Sequence, residues 1–165
     1  MRFHINPRSF EMSSKVVTGE ICIKVGNQFF PEKIWNDFVI GILNGWLRSI
    51  QLFFSGESKE AIFMFMDGPF ELRLVENKNS LVLVCFKRGL GRRVISYKRT
   101  IRGDRNTRKF KNDLLRHSTQ VIADVINICK QNKWRNEEIS KLRSNYAEII
   151  RLKRSAEDLS LKLSK

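Results

Sequence analysis

The chain has 165 residues, 42% hydrophobic and 29% charged, with only nine glycines and three prolines; this composition excludes a disordered or low-complexity protein and leaves apolar surface for one sizeable core. A single domain over residues 1–165 is expected. The formal net charge of +14 at pH 7 favours anionic partners, and the three widely spaced cysteines, Cys22, Cys85 and Cys129, each among apolar neighbours, read as reduced core residues and not as a disulfide framework.

The N-terminal residues Met1–Phe10 hold no apolar run of the kind a secretory signal needs, so a cytoplasmic location is expected. Strands are predicted over Phe3–Ile5 and over Val16–Val25, where Gly19, Ile21, Ile23 and Val25 alternate with Glu20, Cys22 and Lys24. After a turn at Gly26-Asn27, Pro31 and Glu32 suit the first turn of a helix, where proline forfeits no bond and an acid complements the dipole. A long buried helix is therefore predicted over residues 31–54. Ile34, Trp35, Phe38, Val39, Ile42, Leu43, Trp46, Leu47, Ile50, Phe53 and Phe54 recur at helical spacing, leaving Lys33, Asp37, Asn44, Arg48 and Gln51 as a narrow polar stripe. Gly41 and Gly45 would let another backbone approach, and Ser55-Gly56 would end the helix. Its most apolar stretch, Phe38–Leu47, falls short of the roughly twenty residues a membrane span needs, so no membrane association is expected.

Four strand-like runs follow, Ala61–Met66, Phe70–Glu76, Ser80–Phe86 and Arg92–Thr100, joined by short Gly-, Asn- and Pro-bearing connections that suit an antiparallel meander. The last run carries polar side chains on both faces, which predicts an edge strand. Beyond a basic loop at 103–106, an amphipathic helix is predicted over Thr107–Lys133, with Phe110, Leu114, Val121, Ile122, Val125, Ile128 and Cys129 on one face. Asn136 then offers an N-cap for a third helix striped by Ile139, Leu142, Tyr146, Ile149, Leu152, Ala156, Leu159 and Leu163. Its tail, residues 153–165, could pack on the domain, fray, or pair with a second copy as a homodimer. The predicted fold is α+β: an antiparallel sheet of five to six strands, the buried helix after the first strands, and two C-terminal helices.

Tests for chemistry return little. The two histidines, His4 and His117, stand outside any metal-ligand spacing, so neither a metal nor another cofactor is expected. A Cys85–His117 nucleophile pair competes with a plain core thiol at mid-strand, and the core reading is preferred. Gly89 and Gly91 in "KRGLGRR" join two strands and match no phosphate-loop pattern. Asp67, Glu71 and Glu76 lie at or near predicted turns and read as solvated, so no catalytic residue is nominated and an enzyme is not expected.

Charge is the feature that stands out. Residues 1–86 hold nine Lys and Arg against nine Asp and Glu, whereas residues 87–165 hold 22 against eight. Between Lys87 and Lys111 there are eleven basic residues and a single acid, Asp104. Arginine forks and clustered charge of this density suit an anionic partner, and Arg92, Arg93, Lys98, Arg99, Arg102, Arg105, Arg108 and Lys109 are the expected binding residues. The competing reading is a solvated edge that keeps the chain soluble. The partner is expected to be a protein with an acidic face, or nucleic acid bound through the same patch. Tyr97 and Phe110 alone do not make a base-stacking platform.

The segments "FFPEKIWNDFVIGILNGWL" and "DGPFELRL" carry a resemblance. Through Phe30, Pro31, Trp35, Asp37, Phe38, Val39, Trp46, Leu47, Asp67, Gly68, Pro69 and Phe70 the chain resembles, over about half its length, small bacterial proteins similar to the immunity partners of polymorphic toxins. The resemblance implies a stoichiometric inhibitor of a toxin domain and assigns no binding residues. Immunity proteins against nucleases are usually acidic and this chain is basic, so the resemblance implies either a toxin with an acidic face or an interface on the neutral N-terminal half.

Overall fold

The computed structural model describes residues 1–89 and 92–162, and for residues 88, 89, 92, 93 and 156–162 the backbone alone. The protein is α+β, with its strands shared between antiparallel sheets of five and four strands. In the first sheet, β1 (Arg2–Ile5), β2 (Glu11–Ser13), β4 (Gln28–Phe30) and β5 (Asn36–Phe38) all pair with β3 (Val16–Val25). Ile23 faces Phe3 of β1 and also Phe30 of β4, so β3 is flanked on both edges and lies at the centre. The predicted alternation holds there, with Val17, Ile21, Ile23 and Val25 buried, except that Cys22, expected on the other face, is buried as well. Three of the strands escaped the sequence reading because three residues are too few to display a period.

The second sheet is the expected meander, β6 (Glu60–Met64), β7 (Phe70–Asn77), β8 (Ser80–Gly89) and β9 (Arg92–Arg102), and β9 is an edge strand. Between the sheets lies α1 (Val39–Phe54), packed on β3, β6 and α3 (Glu137–Lys162). Trp46 of α1 is buried with its ring centre 4.8 Å from Phe3 of β1 and 6.0 Å from Phe63 of β6, so one side chain from the helix meets both sheets. The remaining helix, α2 (Asp104–Gln131), packs against α3, β1 and β9.

The helix predicted from residue 31 starts eight residues later, at Val39. Asn36–Phe38 instead extends along Thr18–Glu20 of β3, and Ile34 is left 70% exposed, so its helical spacing was coincidental. What holds the strand is Asp37. Its buried carboxylate accepts the Phe38 N–H and the Trp35 indole N–H, bonds that replace the helix propensity of the segment.

The polar stripe of α1 also divides. Arg48 is exposed, while Asn44 and Gln51 are buried and bond α3. Among the described residues no backbone seats on the two glycines: a Cβ at Gly41 would meet the Met66 sulfur at 3.3 Å, and one at Gly45 would meet nothing within 4 Å.

Residues 104–106, predicted as loop, are the first turn of α2. Gly103 turns the chain with φ +87°, Asp104 occupies the first turn, and Asn106 donates its side-chain amide to the Arg102 carbonyl. Asn136 caps α3 as expected, accepting the Ile139 N–H at 2.7 Å. The backbone of α3 runs as helix to Lys162; the tail stripe at Ala156 and Leu159 lies outside the described side chains, and Leu163 outside the described residues. Among the described residues no helix is long and apolar enough to cross a membrane.

Candidate partner-binding surface

Beyond Lys87 and Arg88, which belong to the end of β8, the basic segment folds into two adjoining elements, the edge strand β9 and the first turns of α2. Strand alternation separates its charges. Arg99 stands opposite Leu83, on the face where Leu81, Leu83 and Cys85 are buried, whereas Lys98 stands opposite Val84 on the other face, with Thr100 and Arg102 following it. Arg99, Arg102 and Lys109 come together around a groove of about 410 Å³ between β9 and α2, whose other lining residues include Asn106, Phe110 and Asp113. Asp113 is engaged by Arg116 at 2.9 Å. Arg105, Arg108 and Lys109 are exposed neighbours on α2 at three- and four-residue spacing.

Of the eight expected binding residues, Lys98, Arg99, Arg102, Arg105, Arg108 and Lys109 are exposed, and none of them forms an ion pair with a carboxylate among the described residues. The side chains of Arg92 and Arg93 lie outside the described ones, and Leu90 and Gly91 lie outside the described residues altogether. Two other bases of the segment are occupied. Lys111 bonds Glu76 at 2.8 Å with its ammonium over the Phe53 ring, and Lys87 lies 5.7 Å from the Phe70 ring centre. Chemically, what remains is a set of unneutralised forks and ammonium groups, able to take several carboxylates or phosphates at once.

Sequence reasoning missed an apolar component of the same surface. Val94 and Ile95 are 61% and 55% exposed on β9. The pairing register shifts between Cys85 and Phe86, where Tyr97 faces Cys85 but Ile95 faces Phe86, so Ser96 is an extra residue. Such a bulge turns side chains away from the alternation read in sequence.

Other chemistry is disfavoured by burial. The Cys85 thiol is pushed up to about 12 and the Cys22 thiol to about 11 by desolvation, which is the reverse of an activated nucleophile. Cys129 is raised for the same reason, and all three are buried free thiols. No hydrogen bond joins Cys85 to His117 among the described residues, and no group of His, Cys, Asp and Glu there could hold a metal ion. Glu71, expected to be solvated, is 1% exposed; it accepts from Arg73, whose guanidinium also reaches Glu60 at 3.2 Å. That hydrogen bond to Glu71 is the main reason Arg73 holds its proton above the ordinary arginine value.

The residues that carry the resemblance converge on a structural joint. Trp35 packs edge-on to Phe70 with ring centres 5.0 Å apart, and Phe30 does so at 5.9 Å. Gly68 lies so close to Trp35 that an added Cβ would stand 2.9 Å from the indole. Comparison with protein-family models, with curated proteins and with solved structures finds no match.

Proposed function

We propose that this chain is a non-catalytic protein-binding module, of the kind that inhibits a toxin domain in the cytoplasm by stoichiometric contact, and that its partner presents an acidic face to β9 and the start of α2. The observation that carries the reading is the mixed character of the surface. Six exposed bases without a carboxylate ion pair among the described residues stand beside exposed Val94 and Ile95. Protein interfaces combine an apolar centre with arginine in this way, whereas a purely electrostatic footprint needs no exposed valine or isoleucine. The resemblance to immunity partners supports the same class.

The test is a complex reconstituted from the wild-type chain and a partner captured on it, compared with a variant in which Lys98, Arg99, Arg102, Arg105, Arg108 and Lys109 are all serine. Titration calorimetry is expected to give 1:1 binding that weakens at least about a hundredfold, near 2.7 kcal/mol, in the variant. Equal affinity would remove β9 and α2 from the interface.

One observation favours nucleic acid as a second reading: Arg105, Arg108, Lys109 and Arg116 are all exposed along α2, as phosphate-contacting residues are. Binding to labelled random-sequence DNA and RNA between about 50 and 300 mM salt decides it, since phosphate contacts weaken steeply over that range. Absence of binding at the low end dismisses it.

A further inference from the structure

The two edges of the four-stranded sheet are finished differently. At β6, the Ile62 N–H donates to Ser49 Oγ at 2.6 Å and the Met64 carbonyl accepts from Trp46 Nε1 at 2.8 Å. Just beyond it, the Met66 N–H donates to Asp37. One edge is thus capped by side chains from α1 and β5. At β9 the edge is open: the strand pairs with β8 alone, and Val94, Ile95, Ser96, Lys98, Arg99 and Thr100 are all exposed.

The register shows which backbone groups this leaves free. Because Ile62 and Met64 direct their polar groups away from β7, the groups of Ala61 and Phe63 bond Leu74 and Leu72. Stepping across the antiparallel ladder, Arg73 and Val84 bond each other, then Leu83 and Arg99, so the N–H and C=O of Lys98 and Thr100 point outward. The Arg102 carbonyl, next in that series, accepts from the Asn106 side chain, as this parity requires. No backbone bond among the described residues reaches the outward side of Lys98 or Thr100.

An exposed edge is a template for a further strand, and the positive charges and the bulge at Ser96 that β9 carries disfavour pairing with a copy of itself while leaving the edge attractive to an acidic strand. We infer that β9 binds an extended, acidic segment of the partner protein by strand addition. Its backbone bonds the outward groups of Lys98 and Thr100, and its carboxylates meet Lys98, Arg99 and Arg102. Charge selects the occupant. A second copy of β9 would set Lys98, Arg99 and Arg102 against themselves, whereas acidic residues at successive positions of an added strand meet both faces, one opposite Arg99 and the other opposite Lys98 and Arg102. The inference rests on the acidic-partner reading above and adds how the contact is made.

The probe is an end-blocked octapeptide in which pairs of adjacent glutamates are separated by valine and threonine, so that carboxylates lie on both of its faces, titrated into the full chain and into two variants. Thr100→Pro keeps every charge and removes one outward N–H, at a position where an edge strand tolerates proline. Lys98→Ser/Arg99→Ser/Arg102→Ser keeps the backbone and removes the charge. Strand addition predicts that both variants lose binding at least about tenfold, and that peptide slows amide exchange at Lys98 and Thr100 by a similar factor in the wild type. Where Thr100→Pro does not fold by circular dichroism, the wild-type amide protection decides alone. Binding lost only in the serine variant, with both amides unprotected, overturns strand addition and leaves the acidic-partner reading standing. Absence of peptide binding also overturns it, the acidic-partner reading then resting on the reconstituted complex. A dimer of the free chain by sedimentation, broken by Thr100→Pro, would overturn it in favour of a second copy.

Discussion

The carboxylate of Asp37 accepts the backbone N–H of Met66 at 3.0 Å, which ties β5 of the first sheet to the segment that follows β6 in the second. The same group takes the N–H of Asp67 at 3.2 Å, of Phe38 at 2.8 Å and the indole of Trp35 at 3.0 Å. Trp35 in turn packs on Gly68 and Phe70, so one buried acid organises the contact between the sheets.

Replacing that acid is therefore expected to be costly. Asp37→Ala takes the acceptor from four donors, three of them on the exposed residues Phe38, Met66 and Asp67, and should lower unfolding stability by about 1–3 kcal/mol, with Asp37→Asn costing less because one acceptor oxygen survives. Urea midpoints measured at constant m-value check this. A change under about 0.5 kcal/mol for Asp37→Ala would show that the joint is held by the aromatic packing instead.

A second polar joint fixes α3 on α1. Asn44 donates to the Glu138 carbonyl at 3.0 Å and to its carboxylate at 2.8 Å, and accepts from Asn145 at 2.9 Å, while being 4% exposed. Asn44→Ala should cost about 1–3 kcal/mol, since its removal leaves the Asn145 amide without that acceptor. In a double-mutant cycle with Asn145→Ala the two changes should couple by about 0.5 kcal/mol or more; strictly additive losses would mean the two amides act separately.

His117 predicts a pH dependence. Burial, and then the charges of Arg2 and Arg116, hold its imidazole below the usual 6.5, with Asp113 acting in the opposite sense. The unfolded chain then binds a proton at higher pH than the folded one, so the stability tied to the neutral ring is complete above 6.5 and drains as pH falls below it toward the folded value. Urea unfolding at pH about 7.5 and about 5.5 should show the wild type losing stability at the lower pH and His117→Gln losing less. Equal losses in both chains would assign the change to other groups.

The long, strongly patterned elements were legible in the sequence. β3 shows its alternation, α2 and α3 their stripes, and the meander its turns, because each repeats its period often enough to be read against one partner surface. Residues 31–38 were misread for a related reason. Ile34, Trp35 and Phe38 fit a helical face, and their spacing carries no information about the strand β3 waiting to pair with them. Of the binding surface, charge density was visible and neutralisation was not: Lys111 belongs to the same basic run as Lys109, yet only the fold brings Glu76 to it.

By itself, then, the sequence determined the α+β class, the edge position of β9 and the concentration of charge on and after it, since these follow from local period and composition. The tertiary structure alone decided that the strands divide into two sheets, that Asp37 and Glu71 are buried partners, and that β6 is capped while β9 is open. The reason is physical. A period records which face of an element avoids water, whereas a buried carboxylate or a capped edge depends on donors and acceptors brought from distant parts of the chain.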